Sequence, residues 1–382
     1  MQLSILVVSR TAELVNRFCA GLDAACSLTP MEAEILVSWN GSDADEQRIV
    51  NSSRYDLHIA QRIPYHFAGN MNDLAALAGG EVLMLANDDL MLDPSCVDAG
   101  LQLLTGRPEV GLVGALLRDQ QGLLSHAGIN IDLRQSSYHL LDRLLPLDRV
   151  AKGMIPTAPV AAVTGALQWI GRDAFQRHPF NPAYQVNGED VELCFDVQQH
   201  LDQQVWLCTE ASAIHEAETT RSQDPLQAGN SADQLRLRTR TRHFLDHATG
   251  QQLRVLLQQQ QRESQLLRDL VHDDLPRLQA KEARLKALEQ EFGNAEELRQ
   301  RLEEQDSVLL SLREERLRLR DLVHDDLPRL QAKEARLREL EQEFGNAEEL
   351  RQRLVEQDTV LLTLREERLR LRDKLDAHEG CR

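Results

Sequence analysis

The sequence is short of positive charge: 43 Lys and Arg face 61 Asp and Glu, for a formal net charge of −18. That imbalance excludes broad electrostatic binding to nucleic acid or anionic lipid, so any polyanionic partner has to be held by a local basic patch. The chain also lacks a C-x-x-C pair. Its 6 cysteines (Cys19, Cys26, Cys96, Cys194, Cys208, Cys381) are scattered, which fits neither a zinc site nor a dense disulfide framework and points to a reducing compartment, the cytoplasm. No apolar run approaches the ~20 residues of a membrane-spanning helix. The opening "MQLSILVVSR" carries no basic segment ahead of its short apolar run, so a soluble or peripheral protein is expected. At 382 residues the chain exceeds the length at which one core stops growing, and more than one structural unit is expected.

What is present divides into two grammars. Up to about Arg221, short apolar runs alternate with amphipathic stretches, the texture of an α/β domain. Leu3–Val8 ("LSILVV") and Ala33–Ser38 ("AEILVS") are β-rich, and "TAELVNRFCAGLDAA" between them has helical spacing. Val82–Ala86 ("VLMLA") is a third run of the kind a buried parallel strand needs, after a short helix stopped by Gly79 and Gly80. Beyond the polar segment Arg221–Asp233 the composition turns to Leu, Glu, Gln and Arg, and an internal repeat appears. "LRDLVHDDLPRLQAKEARL" occurs at Leu267–Leu285 and again, unchanged, at Leu319–Leu337, giving 52-residue units at 267–318 and 319–370. Leu298, Leu302, Leu309, Leu312, Leu319 and Val323 keep one helix face apolar, so a coiled coil is expected. Pro276 and Pro328 should kink or restart the helix and the "FGN" segments at Phe292–Asn294 and Phe344–Asn346 should break it, giving segments of about two to eight turns linked by kinks. An apolar stripe on a charged helix needs a partner, either another chain or a neighbouring segment.

Three constellations could carry chemistry. Asn87-Asp88-Asp89 ends the third apolar run, where open α/β sheets place ligands. The pair caps a helix after Pro94, shapes a turn, or supplies hard oxygen ligands to Mg²⁺ or Mn²⁺, which need only one or two carboxylates plus substrate phosphates. In Val186–Leu201, Gly188 ends a loop and Glu189-Asp190 fall in a first helical turn; such acids favour the helix dipole, and one of them could take a proton from an incoming hydroxyl. In Ala213–Arg221, His215 and Arg221 are either structural and solvated or suited to a diphosphate leaving group. "TGALQWIGRDAF" adds a turn at Thr164-Gly165 and Trp169, which is either core or a stacking wall for a sugar.

Taken in order, "SWNGSDAD", "FAGNMNDLAALAGGEVLMLANDDLML", "GLVGALLRDQQGLLSHAGINI", "TGALQWIGRDAF", "NGEDVELCF" and "HEAETTR" resemble the family 2 glycosyltransferases of the GT-A fold, especially bacterial enzymes building surface polysaccharides. The resemblance covers roughly Met1 to Arg221. It implies a Rossmann-like α/β domain with a mixed, mainly parallel sheet over 1–225; the composition and repeat beyond it give a linker or helix over 226–250 and the coiled coil over 251–382. It further implies Asp89 and His215 beside Mn²⁺ or Mg²⁺, and Asp88 nearer the ribose or sugar. Asp190, with Glu189, would be the general base. Ser9, Asn40, Gly41, Asn72, Thr164, Gly165, Trp169 and Arg221 would line the substrate pocket. The implied reaction is an inverting transfer from a nucleotide-sugar donor to a hydroxyl of a glycan or lipid-linked acceptor, at the cytoplasmic face of the inner membrane, by a homo-oligomer joined through the coil. Two departures stand out. Relatives read Thr-Tyr-Asn where this chain has Ser9-Arg10-Thr11, and Asp where it has Trp39, so the nucleobase is left undefined. A scaffold protein with a degenerate sugar-nucleotide domain is the competing class, supported by the repeat. Nucleotidyl transfer ranks lower, because it wants a Gly-rich basic loop after the first strand and "SRTAELV" has no glycine.

Overall fold

The computed structural model describes residues 1–150, 153–216, 231–292 and 296–343. The first apolar run forms β1 (Leu3–Ser9), buried at every residue. A strand covered on both faces has to be apolar throughout, hence the run rather than an alternation. In α1 (Ala12–Ala25) Val15, Phe18, Cys19 and Leu22 share the buried face, after which come β2 (Ala33–Trp39), the short α2 (Asp43–Glu46) and β3 (Asp56–Arg62). His66 Nδ1 accepts the Gly69 N–H at 3.0 Å and so caps α3 (Phe67–Leu77). Gly80 follows because a Cβ there would lie 2.5 Å from the Ser4 nitrogen; only glycine lets the chain pass so close to β1. Next come β4 (Val82–Asn87), β5 (Leu90–Leu92), α4 (Cys96–Gly106) and β6 (Val110–Arg118).

The middle of the chain adds β7 (Leu124–His126), β8 (Ile129–Ile131), β9 (Ser137–His139) and β10 (Ala158–Pro159). It continues with β11 (Leu167–Gly171), α5 (Arg172–Arg177), α6 (Glu189–His200) and β12 (Gln204–His215). One sheet runs in the order β10-β12-β6-β11-β4-β1-β2-β3, with β5 added on β12 and β7 on β6; β8 and β9 form a separate hairpin. β1 lies parallel to β2 and β4, and β12 parallel to β6, whereas β11 is antiparallel to both β4 and β6. The sheet is thus mixed, with helices packed on it, as the α/β reading expects.

The chain divides into two compact units, Met1–Gln259 and Gln260–Arg382. α7 (Ser231–His247) belongs to the first: Phe244 stacks on Phe195 of α6 at 4.2 Å between centroids, and Arg240 pairs with Asp196 at 2.8 Å. Gln259, near the start of α8 (Gly250–Phe292), accepts the Ala161 N–H at 2.9 Å and donates to the Ile129 carbonyl at 3.0 Å. Residues 231–259 are therefore part of the first unit's packing.

In the second unit α8 is followed by α9 (Glu296–Glu343). Arg268 pairs with Glu334 at 3.5 Å and Arg313 with Glu282 at 3.4 Å, so the two helices run antiparallel. The helix restarts expected as one outcome at Pro276 and Pro328 do not occur; the helices are 43 and 48 residues long and continue through both prolines. A proline removes one backbone donor, and the Leu, Arg, Gln, Glu and Ala on either side propagate the helix well enough to resume it. The first "FGN" does mark a boundary, since α8 ends at Phe292 and α9 begins at Glu296. The second, with the rest of the second repeat, lies outside the described residues.

Candidate active site

The carboxyl ends of three parallel strands make one rim. Val8 of β1 stands opposite Asn87 of β4, so Ser9 and Asp88 leave the sheet side by side, and Ser9 Oγ donates to Asp88 Oδ2 at 2.6 Å. Asn40, just past β2, donates its backbone N–H to the Ser9 carbonyl at 2.8 Å and its side-chain amide to the Ile63 carbonyl. Its Oδ1 is buried with no hydrogen-bond partner, an acceptor held ready on this rim. Gly41 is tight: a Cβ would fall 2.4 Å from the Arg10 carbonyl oxygen. Burial pushes the Asp88 carboxyl up to about 6; the Ser9 hydroxyl pulls it down, while the neighbouring Asp89 charge pushes it further up.

Asp88 and Asp89 are not a helix cap. The residue at that place is Ser95, ahead of α4, and the two acids precede β5 instead. β5 pairs with β12 so that Leu90 stands opposite His215, which sets the imidazole beside Asp89: Nε2 lies 3.3 Å from Asp89 Oδ1 and 3.3 Å from Asn87 Nδ2. Asp89 is 5% exposed, and its Oδ1 accepts no hydrogen bond, with the His215 imidazole as its ion-pair neighbour when that ring is protonated. A buried carboxylate oxygen faced by an imidazole that is charged only when protonated carries a desolvation penalty that a cation would remove. Among the described residues no group of three or more His, Cys, Asp or Glu is placed to hold a metal. A Mg²⁺ or Mn²⁺ centre that takes most of its oxygens from substrate phosphates and water does not require one. Asp89 and His215 offer a carboxylate oxygen and an imidazole nitrogen, ligand types that suit a divalent cation.

The second acid is tied to the same rim through two backbone links. Asn87 donates its N–H to the Ala166 carbonyl at 2.9 Å, and the adjacent Gly165 N–H donates to Asp190 Oδ2 at 2.8 Å. The first turn of α6 carries Glu189, 7% exposed, and Asp190, whose Oδ1 accepts the Val191 N–H at 2.8 Å. Gly188 precedes them at φ +112°, a left-handed turn that glycine alone takes without strain. Thr164 donates its N–H to His126 Nε2 at 3.3 Å, and Gly128 does so at 3.4 Å. His126 is completely buried, and burial holds it well below its ordinary range, so it is neutral. With Nε2 accepting, the ring proton sits on Nδ1 and donates to His139 Nδ1 at 2.9 Å.

Other expected residues go elsewhere. Trp169 is not a sugar platform: it is fully buried on β11, where its ring packs so closely on α4 that a Cβ at Gly100 would lie 2.5 Å from it. Asn72 holds protein backbone, its amide nitrogen donating to the Phe180 carbonyl at 2.8 Å and its oxygen accepting the Phe180 N–H at 3.0 Å. Arg221 lies outside the described residues. Sequence reasoning missed the clamp behind His215. Arg17 of α1 makes a two-pronged bond to Glu216 at 3.0 and 2.7 Å, while the Glu216 N–H donates to the Asp89 carbonyl at 3.3 Å. Nothing in a lone Arg on a helix face announces a partner 199 residues away.

No family model matches the chain. A curated protein it resembles is the O-antigen biosynthesis protein RfbC of Myxococcus xanthus, 33% identical over 141 residues. That match covers 34% of this chain and 10% of the relative, so the chain spans about a tenth of the relative's length. Similar solved structures include the mannosyltransferase PcManGT from Pyrobaculum calidifontis in complex with GDP-Man and Mn²⁺, 14% identical, covering 83% of this chain and 87% of that one at a TM-score of 0.43. Another is S. aureus TarS in complex with UDP-GlcNAc, 12% identical, covering 69% and 72% at a TM-score of 0.46.

Proposed function

We propose that the first unit is a metal-dependent glycosyltransferase that moves a sugar, with inversion, from a nucleotide-sugar donor to a hydroxyl of a glycan or lipid-linked acceptor in cell-surface polysaccharide synthesis. One observation carries the reading: a buried carboxylate on Asp89 set beside His215 at the strand ends, with Asp190 fixed to the same rim through Gly165 and Ala166. The relative's name, an O-antigen biosynthesis protein, points to the same class of product. Asp89 and His215 would hold Mn²⁺ or Mg²⁺, which when bound supplies charge neutralisation for the departing diphosphate. Asp88 and Ser9 would orient the donor, and Asn40 Oδ1 would accept a donor N–H or O–H. Asp190 would accept the acceptor's hydroxyl proton as that oxygen attacks the anomeric carbon, and the bond to the diphosphate breaks on the opposite side. A lipid-linked acceptor would be met by peripheral contact at the cytoplasmic face; no helix among the described residues is long and apolar enough to cross a membrane. The repeat unit would make the protein a homo-oligomer.

The test is release of nucleoside diphosphate from a panel of nucleotide sugars in Mn²⁺. Release with one donor, abolished by chelation, is expected. No hydrolysis, transfer or metal-dependent donor binding across the panel would favour a scaffold instead.

A further inference from the structure

Helix α7 opens beside the loop that leads into Glu189 and Asp190. Its Asp233 is 0% exposed, and the side chain faces that loop. Oδ2 accepts the N–H groups of Gln185 at 2.9 Å, Val186 at 2.8 Å and Asn187 at 3.4 Å, and Arg236 lies 3.4 Å from Oδ1. A carboxylate sealed from water is tolerated only where it is paired and hydrogen-bonded, and successive amides converge on one oxygen only where the backbone is curled around it. The same loop is gripped on its other side. Arg236 covers the Tyr184 ring at 5.3 Å, the Tyr184 hydroxyl donates to Glu192 of α6 at 2.6 Å, and Asn181 donates to the other oxygen of Glu192 at 3.0 Å. At Gly188 a Cβ would meet the Tyr184 ring at 2.7 Å and Leu237 of α7 at 3.4 Å.

We propose that Asp233 is a positioning residue for the transfer reaction: its carboxylate gathers the amides of Gln185–Asn187 and thereby sets the first turn of α6, which seats Asp190 on the Gly165 N–H. The proposal rests on reading Asp190 as the base. Its physical content is geometric. Removing the carboxylate leaves buried N–H groups without an acceptor; the loop rearranges to satisfy them, and the turn that follows moves with it. A shift of about 1 Å in a reacting group costs on the order of 10²-fold in rate. The donor rim of Ser9, Asp88 and Asp89 is fastened by bonds to β1, β4 and β12 and does not depend on α7.

The experiment compares Asp233→Ala and Asp233→Asn with the wild type in the full chain. For Asp233→Ala we expect kcat to fall on the order of 10²-fold with the donor KM unchanged. Formate should restore part of that rate by filling the vacated amide cradle, and Asp233→Asn, which keeps one acceptor oxygen, should fall between. Amide exchange read in the same proteins should quicken at Gln185, Val186 and Asn187 while β1 and β4 stay protected. Unchanged exchange at those amides would overturn the proposal. So would wild-type kcat in Asp233→Ala, or a loss that formate leaves untouched and that reaches the whole fold. A wild type that releases no nucleoside diphosphate from any donor would remove the transferase reading, and the exchange measurement would still decide whether Asp233 holds the loop.

Discussion

Both oxygens of Asp190 accept a backbone N–H, from Gly165 and from Val191, which fixes the plane of the carboxylate and leaves further lone pairs for a proton. Asp190→Asn keeps one of these two acceptors and removes the base, so turnover should fall about 10²–10⁴-fold while donor binding, measured calorimetrically, persists. Asp93 behaves differently. Burial works against its ionised form, yet the Arg118 guanidinium at 2.6 and 2.7 Å and the Ser212 hydroxyl hold its carboxyl below the ordinary carboxylate range. The folded carboxyl therefore binds a proton less readily than the unfolded one. Its contribution to stability is present above the unfolded pKa of about 4 and is lost as pH falls through and below that value. Asp93→Asn should flatten the fall in denaturant midpoint between neutral and acid pH. At this scale the sequence is legible where chemistry is local: two hard acids at the end of an apolar run mark a strand end. It is silent where partners are distant, as with Asn72, whose Phe180 lies 108 residues away.

Among elements, the apolar runs of β1, β2 and β4 translate directly, since buried parallel strands leave no polar alternation to misread. β11 has the same composition but runs against its neighbours, a direction that no residue pattern encodes. Trp169 shows the consequence. An aromatic beside a Gly turn suits a platform or a core equally, and only its place between α4 and the sheet decides. Trp169→Ala should therefore lower unfolding free energy by about 3–5 kcal/mol while leaving the donor KM of the folded fraction unchanged. A raised KM without a loss of thermal midpoint would return it to the substrate pocket. In α8 and α9 the prolines mislead because propensity is a sum along the helix, and strong formers on both flanks outweigh one poor position.

For the whole molecule, the polar stretch before Asp233 has the composition of a linker, yet helix beyond it returns to the first unit through Phe244, Asp233 and Gln259. A chain ending at Gln259 should fold, resist protease and sediment as a monomer. One ending at residue 225 loses the stacking partner of Phe195 and the acceptor for the Gln185–Asn187 amides, and should aggregate or digest rapidly. The repeat itself is fully legible, because identity needs no physics to detect. How its helices pair is not: Arg268 with Glu334, across the two copies, and Arg313 with Glu282, within the first, fix an antiparallel arrangement within one chain, where periodicity alone allows partners in cis or trans.

β11 also carries a consequence for biosynthesis. It bonds to β4 along one edge and to β6 along the other, but follows both in the chain. Until Leu167–Gly171 leaves the ribosome, β4 therefore keeps one edge unpaired and β6 has no strand joining it to β4, since β12 is made later still. During that interval the nascent protein is most open to capture by a chaperone or by an extended segment of another chain, and synonymous codons that slow translation before Leu167 would lengthen it.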